Sequence, residues 1–196
     1  MRLFIAVNLA ESQRRELGEL QQQLQPYLER VRWVSPEKMH LTLKFLGEVE
    51  PGLVPQITAA MGRALSSSGV FYFKLKGLGV FPNPSRARVI WAGMEEGSRE
   101  MEQLFTRLEA ALVPLGFIRE RRQFKPHLTL GRGSRPLSRE AVARALTNKK
   151  GFITSPGKAD RVTLYRSHLS RGGAEYEPLA EEYLVEGAGK GKAYPE

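Results

Sequence analysis

The chain has 196 residues, 41% of them hydrophobic and 26% charged. A chain of that size buries roughly 70% of its unfolded surface, enough for a core without disulfide or metal staples. Its formal charge is +9, and the excess is concentrated. Residues 119–171 hold fourteen basic and three acidic residues, a net of +11, so the remaining 143 residues sum to −2. A basic block of that kind points to a polyanion, with nucleic acid first among them. The chain has no Cys, which excludes a thiolate nucleophile and a disulfide framework. Asp160 is its only Asp, a poor start for two-metal phosphoryl chemistry. No P-loop signature occurs.

Residues 2–8 read as a first strand, not a signal peptide, because a polar helix follows at once with no small-residue cleavage site. No apolar run approaches the ~20 residues of a membrane span, so a cytoplasmic protein with no membrane partner is expected. Leu17, Leu20, Leu24 and Leu28 recur at helical spacing and predict a helix over 11–30. Arg32 to Val34 reads as extended, and Ser35-Pro36-Glu37 as a short helical turn. A strand over 40–46 and a helix over 51–66 follow. Residues 70–80 and 87–93 predict a hairpin about a Phe81-Pro82-Asn83-Pro84-Ser85 turn. The second half offers a helix over 98–113 with Ser98 as N-cap and a strand over 127–132. A helix over 138–148 follows, capped by Ser138 with Glu140 in its first turn. Strands are expected over 150–158, 160–170 and 176–185. The Gly-rich residues 187–196 predict a flexible tail. Short connections and the lack of strict βαβ alternation favour an α+β fold with antiparallel sheets.

Two tetrapeptides are identical: His40-Leu41-Thr42-Leu43 and His127-Leu128-Thr129-Leu130. They lie 87 residues apart and contain two of the three His in the chain. A lone His on a strand is most often a satisfied core residue, but repetition at nearly half the chain length argues for an internal duplication. Residues two apart share one face of a strand. Each His and Thr therefore shares a polar face, and each Leu pair seeks a core. Two pseudo-symmetric lobes, each an antiparallel sheet with flanking helices, would then bring the polar faces together at a cleft. Paired imidazoles suit phosphoester chemistry, one accepting a proton and the other donating it. The Thr hydroxyls can hold non-bridging phosphate oxygens. No metal and no cofactor is required. His168 has no repeated context and is read as structural.

With this context the sequence resembles the two-histidine (2H) phosphodiesterase superfamily, and within it the RNA 2′,3′-cyclic phosphodiesterases, also called 2′-5′ RNA ligases. The residues carrying the resemblance are Arg2-Leu3-Phe4-Ile5-Ala6-Val7, the run from Trp33 through His40 to Gly47, Phe124-Lys125-Pro126 before His127, and Leu164-Tyr165-Arg166-Ser167 with Tyr176. A single bilobed domain over 1–186 with one motif in each lobe is expected, and because such a chain needs no partner to complete its site, so is a monomer. It implies opening of an RNA 2′,3′-cyclic phosphate to a 2′-phosphomonoester, tRNA halves being one source of such ends. His40 is carried over as proton donor, His127 as proton acceptor, and Thr42 and Thr129 as phosphate ligands. It also implies 2′-5′ ligation, read as the reverse reaction with the two histidine roles exchanged.

Further substrate-binding candidates are Arg132, Lys44 and Lys125. Strict alternation puts Arg132 on the Leu face unless Gly131 forms a bulge. Lys44 is expected on the His40 face. Phe45 and Trp33 are expected in the core rather than stacked on a base, and Tyr165 is read as structural. Arg119, Arg121, Arg122 and Lys125 are expected to meet an RNA backbone. Two alternatives stay open: an RNA-binding protein without catalysis, and a phosphodiesterase acting on small cyclic nucleotides.

Overall fold

A computed structural model describes residues 1–170 and 173–186; the tail expected over 187–196 lies outside the described residues. The elements in chain order are β1 (Arg2–Asn8), α1 (Glu11–Leu24), β2 (Val31–Trp33), β3 (His40–Glu48), α2 (Val54–Leu65), β4 (Phe71–Phe73) and β5 (Leu75–Phe81). They continue with β6 (Val89–Met94), α3 (Ser98–Leu112), β7 (His127–Gly133), α4 (Arg139–Asn148), β8 (Gly157–Ala159), β9 (Arg161–Ser170) and β10 (Gly173–Tyr183). The strands form one sheet in the order β10-β9-β1-β3 and a second in the order β2-β7-β6-β5, with β4 and β8 as a separate pair. Every pairing within these sheets is antiparallel, so the α+β architecture with two lobes holds.

The lobes are not the two halves of the sequence. The unit β1-α1-β3 supplies its strands to the first sheet, yet α1 lies on the second. Gln21 of α1 donates to the carbonyls of Val34 and Leu130, and Leu24 packs with Val80, Ile90, Val142 and Ala145. The unit β6-α3-β7 does the converse. Its strands build the second sheet while α3 packs on β3 and α2. Each lobe thus wears one helix of its own unit and one lent by the other. The Leu faces of both motifs reach the core beneath these helices, with Leu41, Leu128 and Leu130 wholly buried and Leu43 nearly so.

Several elements differ from their sequence outlines. The first helix stops at Leu24, not 30. Pro26 brings no N–H to continue the ladder; Leu28 nevertheless stays buried through turns closed onto the carbonyls of Leu24 and Gln25. Residues 70–80 split at Lys74, with β4 pairing to β8 and β5 to β6. Only Gly157–Ala159 of the strand expected over 150–158 is regular, and Thr154 spends its hydroxyl on the Leu75 amide instead. Gly97, with φ +84°, caps α3 in place of Ser98. Ser138 does cap α4, accepting from the Ala141 amide at 3.1 Å.

Candidate active site

β3 and β7 come together where the two sheets meet, which brings the motifs to one place. In each motif the ring Nδ1 meets the backbone carbonyl two residues earlier: His40 with Lys38 at 2.9 Å and His127 with Lys125 at 2.8 Å. A carbonyl only accepts, so Nδ1 carries the hydrogen in both rings. That leaves Nε2 as the nitrogen able to exchange a proton with a substrate. The second-sphere contact that fixes the tautomer is therefore the same on both sides.

Each imidazole sits beside a row of aromatic rings on successive strands. His40 stacks on Phe4 of β1 at 4.7 Å, Phe4 stacks on Tyr165 of β9 at 5.3 Å, and Tyr176 of β10 meets His40 edge-on at 5.1 Å. His127 meets Phe81 of β5 edge-on at 5.0 Å and Trp91 of β6 at 6.0 Å. Trp91 can lie this way because β5 has Gly79 beneath it; a Cβ there would collide with the indole. Removal from water among these rings lowers the His40 pKa, opposed in part by the Lys38 carbonyl. Asn8 ties the row together, accepting from the Tyr165 hydroxyl at 2.7 Å and donating to Thr163 at 3.3 Å.

Both motif strands carry a bulge at the same step. The register passes from Ala6↔Thr42 to Ile5↔Lys44, leaving Leu43 extra, and from Trp91↔Thr129 to Ile90↔Gly131, leaving Leu130 extra. An extra residue inverts the alternation beyond it. Arg132 consequently leaves the Leu face and is exposed on the side of His127 and Thr129. Its charge, with that of Arg2, acts on the Tyr176 hydroxyl, whose pKa burial raises; a side chain of the second sheet thereby reaches the surroundings of His40. Gly131 allows this close approach, since a Cβ there would stand 2.5 Å from Val31 Cγ1.

The same bulge overturns two expectations in the first motif. Lys44 does not share the His40 face. It is 8% exposed and paired with Glu109 of α3, turned away from the cleft. Phe45 takes its place, is 64% exposed, and lies 6.0 Å from Phe4; it is not a core residue. Trp33 is half-buried against the core. Lys125 is exposed and adds its carbonyl to the His127 contact. Part of the basic block is also engaged by carboxylates: Arg161 pairs with Glu181, Arg166 with Glu177 and Lys158 with Glu186. His168 pairs with Glu177 at 2.7 Å on the same hairpin. Phe4, Phe81 and Trp91 were not singled out from sequence; strand pairing, which places them next to the motif histidines, was the missing information.

The LigT like phosphoesterase family matches the chain twice, over residues 7–91 and 93–176. The chain belongs to this family. Each match contains one His-x-Thr motif, in keeping with the duplication read from the repeated tetrapeptide. The RNA 2′,3′-cyclic phosphodiesterase of Methanothermobacter thermautotrophicus is 34% identical over 179 residues, covering 91% of this chain and 96% of that protein. Its Thermotoga maritima namesake is 34% identical over 182 residues, covering 92% and 94%. Among solved structures, Escherichia coli LigT in apo form superposes with a TM-score of 0.73 at 28% identity, covering 94% of this chain and 97% of that one. The two-lobed LigT-like fold is therefore shared along almost the whole chain.

Proposed function

We propose that this LigT-like phosphoesterase hydrolyses the 2′,3′-cyclic phosphate at an RNA end to a 2′-phosphomonoester, without a metal ion and as a monomer, both motifs coming from one chain. The observation that carries the reading is the matched pair of imidazoles, each locked by a carbonyl so that Nε2 is its reactive nitrogen. Curated relatives named RNA 2′,3′-cyclic phosphodiesterase and the description of E. coli LigT as complexed with 3′-AMP support a ribonucleotide phosphate as substrate.

In the proposed step His127 Nε2 takes a proton from water as its oxygen bonds to phosphorus. The P–O3′ bond breaks, and His40 Nε2 gives its proton to the departing 3′-oxygen. Thr42 and Thr129 donate to the non-bridging oxygens, and Arg132 offsets their charge. The lowered pKa of free His40 on its own suits a proton acceptor; the negative charge of a bound phosphate restores the protonated form and makes it a donor. In 2′-5′ ligation a 5′-hydroxyl replaces the water, so the histidines keep these roles. The roles exchange only when a 2′-5′ linkage is cleaved back to the cyclic phosphate, which corrects the assignment made from sequence.

The deciding experiment incubates the protein in EDTA with an oligoribonucleotide ending in a 2′,3′-cyclic phosphate and identifies the product isomer. A 2′-phosphate is expected, and His40→Ala or His127→Ala should each lower kcat about 10²–10⁴-fold while leaving the fold intact. Salt-sensitive RNA binding without turnover would instead favour a binding protein.

A further inference from the structure

Lys44 follows the first motif, yet its ammonium group is buried on the far side of β3 from the cleft. It pairs with Glu109 of α3, both side chains being 8% exposed, and donates to the Ile118 carbonyl at 3.0 Å. The other Glu109 oxygen accepts from the Glu120 amide at 3.0 Å. These two side chains therefore hold residues 118–120 by their backbone. Farther along, Phe124 stacks on Phe105 of α3 at 4.3 Å. Between the tethers the chain has no regular secondary structure, and Arg119, Arg121 and Arg122 are exposed. Among the described residues none of the three has a carboxylate partner within ion-pair distance. Glu120, the acid in their midst, accepts from the Arg122 amide.

A buried ion pair is a costly way to fill a core, since apolar residues of similar volume commonly serve stability as well or better. What Met and Leu could not do here is bond the Ile118 carbonyl and the Glu120 amide. We propose that the Lys44–Glu109 pair is a positioning device that holds residues 118–122 beside β3 as a docking track for the phosphodiester backbone of RNA beyond its reacting end. The proposal rests on the RNA reading above. His127 is placed independently, because β7 is paired on both sides by β2 and β6. Loosening the track should therefore affect long substrates and spare short ones.

The test compares wild type with the double variant Lys44→Met/Glu109→Leu, which keeps the volume apolar. A second variant, Arg119→Gln/Arg121→Gln/Arg122→Gln, leaves the pair intact. Three measurements are made: the Kd of an RNA of about 20 nucleotides by fluorescence anisotropy, kcat and KM on that RNA and on a dinucleotide with the same cyclic end, and amide hydrogen exchange over 118–122. Both variants should raise Kd and KM for the long RNA about tenfold and leave the dinucleotide constants unchanged. Only the double variant should accelerate exchange over 118–122, and Lys44→Arg should restore slow exchange. Unchanged long-RNA affinity in both variants overturns the track, and unchanged exchange overturns the positioning role. An equal loss on the dinucleotide overturns the division between track and site. If wild type turns over neither cyclic end, the hydrolase reading fails, while the Kd and exchange comparisons still decide the proposal.

Discussion

His40 is held among Phe4, Tyr165 and Tyr176, where the imidazole prefers to be neutral. Its folded pKa lies below that of an ordinary imidazole, so an unfolded chain takes up the proton first as pH falls. The stability that follows is present above the unfolded pKa and is lost as pH falls through it and on to the folded pKa. His40→Phe keeps a ring in the stack and removes the titration. Its Tm should fall less than that of wild type between about pH 8 and about pH 5, as read by thermal melts. The same residue sets a kinetic signature. A bound phosphate raises the His40 pKa, so the alkaline limb of kcat should lie at higher pH than that of kcat/KM. Coincident limbs in the two profiles would remove His40 from the donor role.

The twin bulges decide what the motif strands present. Gln21 stands behind one of them, its amide donating to Leu130, the extra residue itself, at 2.9 Å and to Val34 at 2.7 Å. Gln21→Leu should cost about 1–3 kcal/mol, because two buried carbonyls lose a donor; urea denaturation measures it. The substitution should also raise KM by freeing the strand that aims Arg132. Here the sequence showed half of the pattern. Gly131 marks a possible bulge and led to the correct face for Arg132. Leu43 carries no such mark, so alternation carried on past it and put Lys44 in the cleft and Phe45 in the core. One unmarked residue inverts the alternation up to the next register shift, which falls between Phe45 and Gly47. The repeated tetrapeptide, by contrast, was legible without any structure, since each half reinforces the other. The aromatic rows were not, because Phe4, Trp91 and Phe81 reach the histidines through pairings with no local sequence signature.

At the scale of the molecule the fold sorts the charge. Ion pairs and helix α4 take up much of the basic block, and Arg132, Arg119, Arg121, Arg122 and Lys125 are exposed cations on or just before β7. Five phosphate contacts to a single strand give a slope of log K against log salt of about −3.5, against about −10 if all fourteen basic residues engaged. Binding titrations at several salt concentrations separate the two. The exchange of α1 and α3 between the lobes means that each sheet is covered by a helix from the other unit. The gap between the histidines is thus set by two shared cores rather than by a hinge. The twofold character of that gap has a stereochemical result. Both imidazoles, both threonines and both bulges match in kind, so the paired motifs by themselves do not tell the two ribose oxygens apart. Three residues past each threonine the strands differ, with an exposed ring at Phe45 and a cation at Arg132. In the proposed reaction these two set which way round the nucleoside lies, and with it which oxygen departs and which phosphate isomer remains.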